Sequence, residues 1–287
     1  MEGEAARFAH IDTRVCTLLP SGTCVRDRRR SLHMANPSAQ MSSAVRMSER
    51  EAPDIETSSA DYARRFAGTA GRYLLEEQTR AVKAALRGLS CGSALDVGGG
   101  HGQLVDPLTR LGWSVTVHGS DDVCARNLRE LHGKRACTFV RGDIYALPFA
   151  DRSFDLVIAV RLLAHVTDWR RLLAEMCRVA RMAVAVEYPS KAALNALGPA
   201  LFRLKILLEG NTRTYASFWP KELTAQMRSL GFVPMAEVKE LCLPFVLHRV
   251  LKGSPSLRVA ESAMRAIGLT KLIGSPVILR GNRQAQD

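Results

Sequence analysis

The 287-residue sequence predicts a doubly wound α/β fold, with a mostly parallel seven-stranded sheet, helices on both faces and a helical insertion before the last strand. Three observations carry that prediction. Short apolar runs alternate with stretches of helical period, the rhythm of linked β-α-β units. The first of these runs ends in an acid and a glycine-dense turn, Ser93-Ala94-Leu95-Asp96-Val97-Gly98-Gly99-Gly100-His101-Gly102. Polar and charged residues then recur at the carboxyl ends of later runs, the edge at which a doubly wound sheet binds its ligand.

An amphipathic helix from about Gly71 to Arg87 is expected to precede the first strand. In the turn after that strand, glycines at 98, 100 and 102 permit positive φ and let a ligand approach the backbone closely. The helix that follows, Gly102 to Leu111, begins with unpaired N–H groups aimed at such a ligand. The spacing is G-x-G-x-G; a pyrophosphate-binding G-x-G-x-x-G would need glycine where Gln103 stands. Strand two reads as Trp113 to His118 and leads into Gly119-Ser120-Asp121-Asp122. Strand three is Cys137 to Arg141, followed by Gly142-Asp143-Ile144-Tyr145-Ala146-Leu147-Pro148-Phe149, in which Asp143 is placed to cap a turn. Strand four, Ser153 to Val160, is apolar throughout and gives way to Arg161-Leu162-Leu163-Ala164-His165-Val166-Thr167-Asp168-Trp169. A helix capped by Thr167 or Asp168 runs from there to Val179. Strand five spans Ala183 to Tyr188, a helix covers Pro220 to Leu230, strand six is Phe232 to Leu243, and Ser275 to Arg280 is the last strand. Between the last two strands, Phe245 to Lys252 and Leu257 to Leu272 read as two basic amphipathic helices.

Taken together, these runs resemble the class I S-adenosylmethionine-dependent methyltransferases, a Rossmann-like family, over about residues 60 to 245. The glycine turn is similar to that family's D-x-G-x-G-x-G motif, the later runs to its G-D-A-x-x-L-P-F and L-x-H-V-x-D…L-x-E-x-x-R-V patterns. The resemblance implies S-adenosyl-L-methionine as cofactor. It implies that Asp96, Gly98, Gly99, Gly100 and Gly102 wrap its methionine end, that Asp143 takes the adenine amine, that Ile144 packs on the ring, and that Arg161 reaches the cofactor or an anionic acceptor. One position departs from the family: its ribose-binding acid at the end of strand two is replaced by His118. A neutral imidazole offers one acceptor where two hydroxyls need two, so the contact falls to His118, Ser120 or Asp121. A general base is required only for a weakly acidic hydroxyl or carbon acceptor, and His165 and Tyr188 stand at the right strand ends. Substrate contacts are expected from Tyr62, Arg203, Arg213 and Tyr215. The group most similar in its motifs is the ubiquinone/menaquinone type, which methylates small-molecule and lipid-like acceptors.

Composition bounds the remaining readings. The net charge is +12, and residues 190–287 hold fourteen Lys/Arg against six Asp/Glu, so the surplus lies beyond the cofactor half. That bias suits an amphiphilic acceptor and peripheral contact with a membrane surface. No specific nucleic-acid partner is expected, because 6% aromatic residues and no RNA-binding module accompany the charge. RNA methylation and a non-catalytic binding protein with a decayed cofactor site stay as alternatives. Seven cysteines form no C-x-x-C pair and no metal grouping, which suits a reducing, cytoplasmic setting. Residues 1–55 carry no sustained apolar period and balance their charges, predicting a disordered tail ahead of a domain over 56–287. Within it, 190–219 is expected to form a substrate lid and 244–273 the helical insertion.

Overall fold

The computed structural model describes residues 51–57, 59, 64, 66–100, 102–125, 128, 137–193 and 216–284. Its strands are β1 Ser93–Val97, β2 Ser114–Gly119, β3 Thr138–Arg141, β4 Phe154–Ala159, β5 Ala180–Tyr188, β6 Phe232–Leu241 and β7 Ser275–Arg283. They form one sheet in the order β3-β2-β1-β4-β5-β7-β6. Parallel pairing joins β1 to β2 and β4, β2 to β3, and β4 to β5. The last strand in the chain inserts between β5 and β6 and runs antiparallel to both, so the sheet is mixed and its parallel pairs are confined to the first five strands. The strand order reverses between β1 and β4, which opens a crevice at their carboxyl ends.

Side-chain alternation along each strand divides the core into two layers. Leu95 and Val97 of β1 pack with Val157, Ala159, Val184 and Val186 on one face. That face is covered by α4, Trp169–Val179, and α5, Pro220–Ser229, through Leu172, Leu173, Met176, Leu223 and Met227. Ala94 points the other way, with Val115, Val117, Ile158 and Ala185, and Asp96, two residues on, shares its face. Helices α2, Gly68–Ala85, and α3, Val105–Arg110, close this second face with Ala81, Val82, Val105 and Leu108. Asp168 caps α4, its carboxylate accepting from the Arg171 N–H at 3.1 Å. At the start of α5, Pro220 takes the first helical position and the Glu222 carboxylate reaches back to the Trp219 N–H at 3.1 Å.

Three short helices link β6 to β7: α6 Phe245–Val250, α7 Pro255–Ala266 and α8 Leu269–Ile273. The single helix expected over Leu257 to Leu272 is broken at Gly268, which adopts φ +81°, a conformation open to glycine at little cost. Buried Glu261 of α7 holds this unit to the sheet edge. Its carboxylate accepts from Cys242 N at 2.9 Å, Leu243 N at 2.8 Å and the ring of buried His248 at 3.1 Å. Burial alone would raise the Glu261 pKa; the His248 bond and the two backbone donors outweigh it and hold it below the usual carboxylate value. No described helix is long and apolar enough to cross a membrane.

The described residues include a segment on both sides of the expected boundary at residue 55. A short helix α1, Pro53–Thr57, lies against the domain and buries Asp54 completely.

Candidate functional site

The glycine turn sits at the carboxyl end of β1, in the crevice made by the reversal of strand order. Gly98 and Gly102 have φ +69° and +60°. A Cβ on Gly99 would fall 2.1 Å from Asp96 Oδ2, and one on Gly98 would meet Leu162 at 2.9 Å. Only a chain without side chains can therefore fold back over Asp96 and beside the loop after β4, which leaves backbone facing the crevice. Asp96 itself is 2 % exposed, and burial pushes its carboxyl up to about 7. A cation placed beside it would favour ionisation and gain an undiluted charge contact.

The end of β2 is latched to this turn by Gly98 N donating to His118 O, and the end of β3 is latched to β2 by Gly142 N donating to Gly119 O, each 3.0 Å. His118 is fully buried, with burial lowering its pKa to about 4, and neither ring nitrogen has a hydrogen-bond partner among the described residues. The Ser120 hydroxyl is likewise unpartnered there, whereas its N–H donates to Asp54 Oδ2 at 2.6 Å. Asp143 Oδ1 accepts from Tyr145 N at 2.8 Å, so the carboxylate does cap its own turn. Ile144 departs from expectation. Its side chain is fully enclosed in the first core layer with Leu95 and Leu147, so it supports the turn from below and offers no face to a ring.

What holds the Asp143 loop in place explains a second sequence pattern. From α4, Glu175 Oε2 accepts from Leu147 N at 2.9 Å, while Arg178 donates to Leu147 O at 2.9 Å and Phe149 O at 2.8 Å. Arg178 is itself paired with Glu175 and Asp151. The E-x-x-R spacing therefore puts both side chains on one turn of α4, facing the L-P-F loop.

Beyond β4 and β5 the outcome is mixed. Arg161 takes φ +58° directly after β4, and its guanidinium carbon lies 4.1 Å from the centroid of the Phe66 ring. Its charge also acts on two buried acids that sequence reasoning passed over, Glu187 of β5 and Glu240 of β6. Burial raises both carboxyls, and Arg161 pulls each back; Gln78 Nε2 donates to Glu187 at 3.0 Å. For Glu187 the signal was available: it is an acid at the end of the otherwise apolar run 183–188; Glu240 follows Glu237 and Lys239 in a strand of mixed character. His165 ends a 3-10 turn, Leu163–His165, and is half-buried at the carboxyl edge, where the neighbouring Ala164 carbonyl accepts from Ala216 N at 2.9 Å. Tyr188 lies on the opposite side of β5 from Glu187, fully buried among core residues, with its hydroxyl unpartnered among the described residues and its pKa raised by burial. That setting opposes proton abstraction, so Tyr188 is a packing residue beside Phe218. Tyr62, Arg203, Arg213 and Tyr215, with most of the expected lid, lie outside the described residues.

The segment before α2 adds residues that the sequence left unmarked. Glu51 Oε1 accepts from Thr167 N at 2.8 Å and Thr167 Oγ1 at 3.0 Å, and its other oxygen pairs with the Tyr145 hydroxyl. Burial, then the Glu51 bond, pushes the Tyr145 phenol up to about 12. With Asp54 on Ser120, residues 51–57 touch the loops after β2, β3 and β4.

Such a site, a side-chain-free cradle over an enclosed carboxyl with buried unpartnered polar atoms at the next strand, fits an adenosyl ligand bearing cationic groups. Comparison with known proteins agrees. Residues 95–183 match the family model described as a methyltransferase domain. The chain is 39% identical over 116 residues to a demethylmenaquinone methyltransferase of Roseiflexus sp. (strain RS-1), a stretch covering 39% of this chain and 48% of that one. It is 37% identical over 89 residues to a phthiotriol/phenolphthiotriol dimycocerosates methyltransferase of Mycobacterium tuberculosis, covering 30% and 33% respectively. The matched stretch thus spans half or less of these relatives' length. Among solved structures, an S-adenosylmethionine-dependent methyltransferase from Thermotoga maritima superposes with a TM-score of 0.56 at 21% identity, covering 78% of this chain and 95% of the other. The magnesium protoporphyrin IX methyltransferase of Synechocystis PCC 6803, solved with S-adenosylhomocysteine, gives 0.53 at 15% identity over 78% and 93%. By its sheet order, its glycine turn and the match over residues 95–183, the chain resembles the class I S-adenosylmethionine-dependent methyltransferases and shares their fold.

Proposed function

We propose that the protein transfers a methyl group from S-adenosylmethionine to a small-molecule or amphiphilic, lipid-like acceptor. The observation that carries this reading is the glycine turn folded over buried Asp96 at the point where the strand order reverses. When bound, the cofactor supplies a methyl group already activated by its sulfonium. The chain's own residues then have three tasks. Asp96 and the backbone of Gly98, Gly99, Gly100 and Gly102 would hold the cationic methionine end, and Asp143 the adenine amine. Apolar walls formed by Leu162 and Ala164 exclude water from the crevice. His165, at the carboxyl edge beside β4, accepts a proton when the acceptor is a hydroxyl or a weakly acidic carbon.

The acceptor class is supported by the surface beyond the sheet. Val250, Leu251, Val259, Ile267 and Leu272 are all exposed on α6 to α8 and their connections, beside exposed Lys252 and Lys271. Apolar and cationic side chains combined on short surface helices suit the face of an anionic bilayer. The relatives named for demethylmenaquinone and phthiotriol dimycocerosates point the same way. Incubating the full chain with methyl-labelled S-adenosylmethionine and panels of quinols, phenols and lipids tests the reading. Label should enter an apolar acceptor; label entering RNA and no small molecule would replace it with the nucleic-acid alternative.

A further inference from the structure

We infer that Asp54, carried by the segment ahead of the first long helix, is the carboxylate that receives the ribose hydroxyls of the cofactor. This rests on the cofactor assignment above and names a residue for a contact that β2 leaves unfilled. Nucleotide-binding sheets of this topology place an acid at the end of the second strand, because a carboxylate alone presents two acceptors to a vicinal diol. Here that strand ends in His118, Gly119 and Ser120, none of which carries a carboxylate. His118 is uncharged at neutral pH, since burial lowers its pKa to about 4, and its carbonyl is taken by Gly98 N at 3.0 Å. Gly119 has no side chain, and its carbonyl is taken by Gly142 N at 3.0 Å. A Cβ there would meet Phe139 at 2.9 Å and Cys124 at 3.0 Å, so the packing of the strand end leaves no room for an acid at 119.

The acids that follow in sequence are committed elsewhere. Asp121 Oδ1 accepts from Val123 N at 2.9 Å and starts the helical turn over 122–125, and Asp122 pairs with Arg141 at 3.2 Å. The carboxylate that does stand at the end of β2 is that of Asp54. It is 0 % exposed, its Oδ2 lies 2.6 Å from Ser120 N and 3.7 Å from Cys124 Sγ, and it adds negative potential at His118. One oxygen pinned by a backbone N–H fixes the orientation of the group. The segment is fixed in turn by Glu51 on Thr167 and Tyr145, so residues 51–57 hold loops on both sides of the β1 glycine turn.

The test is calorimetric binding of S-adenosylhomocysteine and its 2′-deoxyribose analogue to the full chain and its Asp54→Asn variant. The unmodified protein should prefer the natural ribose by roughly tenfold or more, the scale of one charge-assisted hydrogen bond. Asp54→Asn should lose more for S-adenosylhomocysteine than for the analogue, which keeps one of the two hydroxyls, so the preference shrinks by about that factor. Equal losses for both ligands would mean that Asp54 only braces Ser120, and unchanged or tighter binding would mean that the segment is a bystander or a block; each overturns the inference. Should Asp54→Asn fail to fold, Glu51→Ala loosens the same segment from its outer anchor. It too must lower the ribose preference, and an unchanged preference there is equally fatal. An unmodified protein that binds neither ligand removes the cofactor assignment itself, a failure distinct from a variant that keeps its ribose preference.

Discussion

Replacing Asp96 with Asn probes the group on which the site turns. Burial raises this carboxyl from 3.8 to about 7 in the folded chain, whereas in the unfolded chain it titrates as an ordinary aspartate. Between those two values the native state holds a proton that the unfolded state has released, so stability falls as pH rises through that window and levels off above it. Each pKa unit is worth about 1.4 kcal/mol, so the whole window costs up to about 4 kcal/mol, and the part between about pH 5.5 and 7 costs ~2 kcal/mol. Asn keeps the shape and removes the titration. Urea unfolding of both proteins at about pH 5.5 and 8.5 reads the effect as a difference in which other groups, Glu187 and Glu240 included, cancel. The variant should gain ~2 kcal/mol on the native protein between those two conditions. Cofactor affinity should move oppositely: in the native protein it rises with pH through about 7 as the carboxylate becomes available to a cation, and in Asp96→Asn it is weak and flat. Parallel stability curves for the two proteins would show that Asp96 is not buried as described and would remove the physical basis for its role.

Three further outcomes follow from the same contacts. Gly99→Ala puts a methyl group against the Asp96 carboxylate at 2.1 Å, so it should cost about 1–3 kcal/mol in thermal unfolding and weaken S-adenosylmethionine binding more than Ala at exposed Gly88 does. Arg178→Ala removes donors from Leu147 O and Phe149 O and unpairs Glu175; a loss of about 2–3 kcal/mol is expected in denaturant unfolding, with weaker cofactor binding because the Asp143 loop is released. Glu261 is held below its usual pKa by His248 and two backbone donors, so its contribution is present above about pH 4.5 and disappears as acid protonates it. Glu261→Gln should therefore be destabilised by about 1–3 kcal/mol near neutrality, and by progressively less as pH falls below the ordinary carboxylate range, in chemical unfolding.

Strand positions were readable in the sequence because each strand of the first five is a short apolar run closed by a polar turn, and the glycine turn could serve no other backbone path. Asp96 lies near the end of β1, and Gly98, Gly99, Gly100 and Gly102 lie in the turn that follows it. Three kinds of feature were not readable. The position of β7 between β5 and β6 is set by how a long helical connection returns to the sheet, and no local pattern encodes that. Ile144 and Tyr188 were assigned by their place after a strand, but the pleat decides which way a side chain points, and both point into the core. Asp54 and Glu51 sit in a charge-balanced stretch without period; their partners Ser120, Tyr145 and Thr167 are far along the chain, and only the fold brings them together. Glu187, the one acid in the apolar run 183–188, could have been marked from sequence, whereas Glu240 is masked by its charged neighbours Glu237 and Lys239.

The most direct test of the central claim is calorimetric titration of the full chain with S-adenosylmethionine and, separately, with NADH, since both would enter at the same strand ends. Binding of S-adenosylmethionine at micromolar concentration with no response to NADH is expected from the G-x-G-x-G turn over Asp96. Binding of NADH, or no heat from either ligand in a folded sample, would contradict the assignment of the crevice.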